Sequence, residues 1–216
     1  MRKALEWGKG TVFEQIVVDT GSDDRTVEIA KEMGATVFLF PWIDDFSAAK
    51  NFAISKAKGD WIVFLDADEY YDIDSTAKII PILLRIENGF NNDLKPHTVR
   101  SSLVNLDDYG QVFSMGIQDR IFRNISTLCY RNRIHEVLYN NDGSEVVVVD
   151  ASKELTIYHT GYTKQVYKES GKLERNIRML KYEVAENVED YNAWSYLGDA
   201  FLRLKDMMKP NRHIFM

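Results

Sequence analysis

The chain has 216 residues, 45% of them hydrophobic and 12% aromatic, which suits one sizeable α/β domain plus a small appendage and excludes a disordered chain. Its net charge of −6 argues against a broad surface for nucleic acid or anionic membrane. The single cysteine, Cys129, excludes a disulfide framework and a cysteine-based zinc site; with no apolar core after Met1-Arg-Lys3 and no run long enough for a transmembrane segment, the sequence reads as soluble and cytoplasmic.

In chain order, Gln15-Ile-Val-Val-Asp19 reads as a short buried strand ending in an acid. Ser22 or Asp23 can cap the helix that follows, and Gly34 ends it. Thr36 to Phe40 forms a second strand, stopped by Pro41. Ala49, Phe52, Ala53 and Ala57 recur at helical spacing up to Gly59, and Trp61 to Leu65 makes a third strand. Its continuous apolar run suits a strand buried on both faces. Strand alternating with helix predicts a parallel sheet with right-handed crossovers.

After Asp74 the pattern changes. Thr76 to Glu87 is helical in character, with Pro81 predicting a kink or a late start, and Gly89 to Pro96 is loop-like. Strand-like pieces follow at Val99–Leu106, Asp119–Arg123, Arg133–Tyr139, Val146–Val149 and Leu155–Tyr158. The turn signals Asp108-Tyr-Gly110 and Asn141-Asp-Gly143 predict hairpins. From Lys164 the chain reads as helix, with Leu173, Ile177, Leu180 and Val184 on one apolar stripe.

Asp66 and Asp68 close the third strand at the edge where open α/β sheets place their ligands. Carboxylates so close repel unless a cation joins them, and oxygen ligands suit Mg²⁺ or Mn²⁺. The same pattern also fits a plain acidic turn, and the residues alone leave both readings open.

Three segments occur in order: Val18-Asp-Thr-Gly-Ser-Asp-Asp-Arg-Thr26, Asp44-Asp-Phe-Ser-Ala-Ala-Lys-Asn51 and Gly59-Asp-Trp-Ile-Val-Phe-Leu-Asp-Ala-Asp-Glu69. Together they resemble the nucleotide-sugar half of a family 2 glycosyltransferase with the GT-A fold. Arg133-Ile-His-Glu136 and His159-Thr-Gly-Tyr162 resemble the later motifs of a bacterial branch that often carries tetratricopeptide repeats after the catalytic domain. The resemblance implies an α/β GT-A mixed sheet flanked by helices, with a catalytic domain over 1–163 and a short helical tail over 164–216. It implies an inverting, metal-dependent transfer of a sugar from a nucleotide-diphosphate donor, UDP-linked, to a glycan, lipid-linked or peptide acceptor. Asp68 would bind Mn²⁺ or Mg²⁺ directly with His159, and Asp66 would serve the ribose and metal-bound water. Asp19, Thr20, Gly21, Asp45, Lys50 and Ala67 would line the nucleotide sugar. Glu136 would take the acceptor's proton, with His135 orienting it or touching the diphosphate.

Each residue also has a plainer role. Asp19 to Ser22 fits a turn and helix cap, Asp44 or Asp45 a cap for a helix starting near Phe46, and Lys50 an exposed helix position. His135 fits a strand residue satisfied by a backbone carbonyl, and His159 an ordinary strand end. Where the family commonly has Arg, Lys50 keeps the charge but not the planar fork. GT-A enzymes of this type begin with a strand and an acidic turn; here only Met1 to Phe13 precede the first strand, and Ala4-Leu-Glu-Trp7 reads as the end of the helix after it. A sheet edge left unpaired near the ligand invites a partner subunit. In the tail, Trp194-Ser-Tyr-Leu-Gly-Asp-Ala-Phe201 fits a single tetratricopeptide pattern with Phe for Tyr; alone it must pack on the catalytic domain or mark an array that stops early. The ending, Met207 to Met216, lacks repeat character and reads as a truncation or an altered reading frame. The open edge and the incomplete repeat point to a homo-oligomer.

Two other classes compete. A haloacid dehalogenase-type phosphotransferase also has an apolar strand ending in Asp-x-Asp, but on its first strand and followed by Thr or Val, whereas Glu69-Tyr-Tyr71 follows here. A non-catalytic remnant would bind a partner through its helical tail. No G-x-G-x-x-G follows the first strand, which speaks against a dinucleotide enzyme.

Overall fold

Local signals account for most element boundaries in the computed structural model, which describes residues 1–90, 95–160 and 171–207. Helix α1 (Arg2–Glu6) leads to β1 (Ile16–Asp19), α2 (Thr26–Glu32) and β2 (Thr36–Leu39). Gly34 takes φ 88°, the left-handed conformation that ends α2 without a Cβ clash. Helix α3 (Phe46–Ile54) starts from Asp45, whose carboxylate accepts the Ala48 N–H at 2.8 Å. After β3 (Trp61–Val63) and β4 (Glu69–Tyr71) comes α4 (Ile73–Gly89), capped by Asp72. Pro81 does not delay α4. Buried Ile79, Ile82, Leu83 and Ile86 hold the helix against the sheet on both sides of the proline.

The second half is antiparallel at its centre. Strands β5 (Thr98–Leu106) and β6 (Val112–Arg123) form a long hairpin, and β7 (Leu128–Arg131) pairs β8 (Val137–Asn140). Strands β9 (Val148–Asp150) and β10 (Thr156–His159) precede the helical tail, α5 (Lys172–Glu186) and α6 (Tyr191–Met207). The Asn141–Gly143 turn closes no hairpin, because β8 pairs backward with β7 while β9 joins β5. The piece expected at Arg133–Tyr139 starts only at Val137, since Asn132 and His135 take positive φ and break the strand.

One larger expectation fails. Strand β3 is not part of a parallel sheet with β1 and β2: these two pair parallel as a separate doublet, and β3 pairs antiparallel with β6. The principal sheet runs β3-β6-β5-β10-β4, with β9 also on β5. Strand β3 is also shorter than Trp61–Leu65. The Phe64 N–H still bonds Arg120 O at 2.8 Å, but the chain then turns, the Glu69 N–H reaching Asp66 O at 2.9 Å. The architecture is a mixed α/β sheet flanked by helices.

The main core lies between this sheet and α4, around Ile79, Ile86, Val99, Ile121, Leu155 and Ile157. The apolar stripe of α5 behaves as its spacing predicts: Leu173, Ile177, Leu180 and Val184 are all buried. They form one cluster with Leu197 of α6 and Ile134, against which Trp42 and Phe46 pack, so the tail sits on the rest of the chain. Gly161 and Tyr162 of the last motif, the 163/164 boundary and the ending after Met207 lie outside the described residues. No helix among the described residues is long and apolar enough to cross a membrane.

Candidate functional site

The β3–β4 connection carries Asp66 and Asp68, and strand register decides what meets them. Strand β10 runs antiparallel to β4 with His159 opposite Glu69, and parallel to β5 with His159 opposite Asn105. His159 Nε2 therefore lies 3.3 Å from Asp68 Oδ2, while its Nδ1 lies 2.7 Å from Asn105 Oδ1. The hydrogen bond to Asp68 and its charge raise His159 above the ordinary histidine value against the opposing effect of burial. For Asp68, desolvation opposes ionisation, but His159 outweighs it and the carboxyl is lowered. Asp68 O also accepts from the Thr160 N–H at 3.0 Å, which ties the loop to the end of β10.

Asp66 turns toward cations. Arg120 Nη2 on β6 bonds Asp66 Oδ2 at 2.7 Å and Glu69 Oε1 at 2.6 Å, and Lys50 Nζ lies 3.8 Å from Asp66 Oδ1. Desolvation of Asp66 is overcome by Arg120 and Lys50, which lower its carboxyl; Glu69 is raised, because its burial outweighs the help of Arg120. Lys50 is itself buried on α3, ion-paired to Glu136, with its ammonium 5.0 Å from the rings of Phe64 and Tyr130. It is not the exposed helix residue its type suggests. The repulsion expected between Asp66 and Asp68 is thus relieved by side-chain cations of the protein.

Residues from α3, the β3–β4 loop, β4, β6, the loop before β8 and β10 meet at one place: Lys50, Asp66, Asp68, Glu69, Arg120, Glu136 and His159. Thr20 and Ala67 line a cavity that reaches Lys50 and Asp66. Three of the residues picked from sequence are committed elsewhere. Asp19 is buried and accepts the Gly21 and Ser22 N–H groups at 3.1 and 3.2 Å, shaping the turn in which Gly21 takes φ 110°. Asp45 caps α3 and faces Arg133 at 3.8 Å. His135, at φ 55°, stacks its ring on Tyr196 of α6 at 4.0 Å, so the His-Glu pair divides, Glu136 entering the site and His135 the tail contact.

Sequence reasoning missed Arg120, Glu69 and Asn105. Arg120 had a usable signal: period-two alternation puts it on the same strand face as Phe122, a core residue, where an arginine needs a partner. Glu69 likewise shares a face with buried Tyr71.

Residues 2–93 match the family model described as Glycosyl transferase family 2. Over this span the chain is similar to that family. A TPR repeat-containing protein of Synechococcus elongatus is 32% identical over 212 residues, covering 94% of this chain and 49% of its own length. The glycosyltransferase SunS of the Bacillus subtilis SPbeta prophage is 29% identical over 211 residues, covering 95% of this chain and 47% of its own. The chain thus spans about half the length of the curated relatives it matches. Among solved structures, S. aureus TarS 1–349 in complex with UDP-GlcNAc aligns with a TM-score of 0.49 and 12% identity, over 94% of this chain and 68% of that one. The matched span carries Lys50, Asp66 and Asp68, whereas Arg120, Glu136 and His159 come from beyond it.

Proposed function

We propose that the chain forms the donor site of an inverting, metal-dependent glycosyltransferase that takes a sugar from a UDP-linked donor. The observation that carries this reading is the meeting of Lys50, Asp66, Asp68, Glu136 and His159, drawn from separate elements, beside a cavity lined by Thr20 and Ala67. The relatives named as glycosyltransferases support the reaction class.

Among the described residues no group of three or more His, Cys, Asp or Glu side chains could hold an ion alone. That fits a cation shared with a substrate, since Mg²⁺-type sites use one or two carboxylates plus phosphate oxygens and water. Asp68 and His159 would hold it; when bound, it would neutralise charge developing on the departing diphosphate. Lys50, now held between Glu136 and Asp66, is placed to turn toward the diphosphate. Its departure frees the Glu136 carboxylate to take the proton of an acceptor hydroxyl as that oxygen attacks the anomeric carbon and the nucleotide leaves. Arg120 keeps Asp66 ionised and fixed, so Asp66 would present an acceptor oxygen to the ribose and to metal-bound water.

Thermal unfolding with UDP, with and without Mn²⁺ or Mg²⁺, tests this. Ligand at about a hundred times its Kd stabilises by roughly 2.7 kcal/mol, about 5–10 °C at this size. The expected shift requires both nucleotide and metal and vanishes in Asp68→Ala. A cooperative melt that no nucleotide moves would overturn the reading.

A further inference from the structure

Three non-glycine positions among the described residues take a left-handed backbone: Asp44 (φ 55°), Asn132 (φ 73°) and His135 (φ 55°). Such a conformation persists only where the surroundings over-determine it. All three lie where the helical tail sits. Arg178 of α5 donates to both carboxylate oxygens of Asp44 at 2.7 Å. Arg133, next to Asn132, gives its N–H to Glu183 Oε2 at 2.7 Å and its guanidinium to Glu186 Oε1 at 2.5 Å. His135 stacks on Tyr196 of α6, ring centres 4.0 Å apart and planes 26° from parallel.

These contacts hold both partners of one ion pair. Asp44 directly precedes the cap of α3, the helix that carries Lys50, and the loop after Asn132 ends in Glu136. That loop has no helix or strand of its own. Ile134 is buried in the cluster of α5 and α6, so Arg133, Ile134 and His135 all face the tail while the next residue, Glu136, faces the site. Bonds to the start of α3, from the Phe46 N–H to Arg133 O and from Ser47 Oγ to Asn132 O, complete the hold on the loop. Tyr196 falls at an unspecified position of the W-x₂-L-G-x₂-Y pattern, unlike Leu197, which is buried inside the tail. Packing of a helical repeat therefore does not account for Tyr196.

We infer that the tail is a working part of the site: Tyr196 is a positioning residue that, through His135, holds the Glu136 carboxylate against Lys50. The inference rests on the reading of Glu136 as the group that takes the acceptor's proton. Without the stack His135 leaves its left-handed conformation, and Glu136, one residue on, swings away from Lys50. Whatever displaces α6 also displaces the base.

A double-mutant cycle, read by thermal unfolding of the whole 216-residue chain, tests this without nucleotide. Glu136→Gln leaves the Lys50 ammonium without its nearest carboxylate and should lower Tm by about 5–10 °C. In the Tyr196→Ala background, where the carboxylate has already moved, the same substitution should lower Tm by less than half as much. The Tyr196→Phe background keeps the ring and should show the full loss. So should Tyr191→Ala, an equal truncation at an exposed position of the same helix. Should Tyr196→Ala not melt cooperatively, His135→Ala removes the stack from the loop side and completes the cycle. An undiminished loss in the background without the stack would overturn the inference, Tyr196 then being a packing residue only. A second arm follows hydrolysis of UDP-N-acetylglucosamine with Mn²⁺: water attacks the anomeric carbon, Glu136 takes its proton and UDP leaves. Tyr196→Ala should lower kcat at least tenfold with KM within twofold, and Tyr196→Phe should retain kcat. A raised KM at unchanged kcat would also overturn the inference. A wild-type chain that neither hydrolyses the donor nor is stabilised by nucleotide and metal would overturn the transferase reading, and the cycle would still decide whether the tail places Glu136.

Discussion

At the residue scale, the candidate site is held together by how its charges are paired. Lys50 has little contact with water and faces Glu136 and Asp66, so it is the counter-cation for both. Lys50→Met keeps the stem and removes the charge, leaving Glu136 uncompensated. We expect a loss of about 3–5 kcal/mol in urea unfolding, whereas Lys50→Arg should retain most of the stability. Equal stability of Lys50→Met and wild type would mean the pair is not formed in solution. His159 gives a pH dependence with a defined sign. Its folded-state pKa is raised above 6.5 by Asp68, so the pair stabilises fully below that value and fades as pH rises through the higher folded value. Asp68 is partly exposed, which limits the effect to less than about 1 kcal/mol. In chelator, Tm should fall by about 1–3 °C between roughly pH 6 and 8.5, and His159→Gln should lose this component. The family resemblance singled out Lys50, Asp66, Asp68, Glu136 and His159 as candidates, and the fold brings these five together. The resemblance could not reveal that His135 turns away, because the φ of 55° that directs it is imposed by the tertiary path of the loop.

At the element scale, helices were more legible than strands. A helix carries its own caps and apolar period: Asp45 marks one start and the α5 stripe specifies a buried face, although α4 begins at Ile73 behind its Asp72 cap rather than at the expected Thr76. Strand ends depend on partners. Strands β4 and β7, with 3 and 4 residues, are held by β10 and β8 and give almost no local signal. Helix α4 shows tertiary packing overriding a local breaker. Pro81 is exposed and lacks the N–H that would bond Ala77 O, yet the helix continues past it, with four buried isoleucines and leucines packed on both sides of the proline. Pro81→Ala restores that bond without touching the core. It should stabilise by roughly 1–3 kcal/mol, read as a higher urea midpoint with unchanged slope. A destabilised variant would show that the proline shapes α4 rather than being tolerated in it.

At the scale of the whole molecule, the two sheets differ in what holds them. The principal sheet has its long β5–β6 hairpin at the centre and α4 packed on it through the largest buried cluster. The β1–β2 doublet has 4 residues per strand and rests on a small cluster of Leu5, Ala30 and Ala35. A lone two-stranded sheet is marginal, and regions with few buried apolar contacts open first. Amides of Val17, Val18, Val37 and Phe38 should therefore exchange with deuterium at least tenfold faster than those of Val99, Val104, Ile121 and Ile157, although both sets lie in strands. The doublet carries Asp19 and leads into Thr20, and the cavity beside it reaches Asp66, so its opening would also loosen the candidate donor site. Uniform protection across both sheets would mean that the doublet is already fastened by contacts other than strand pairing.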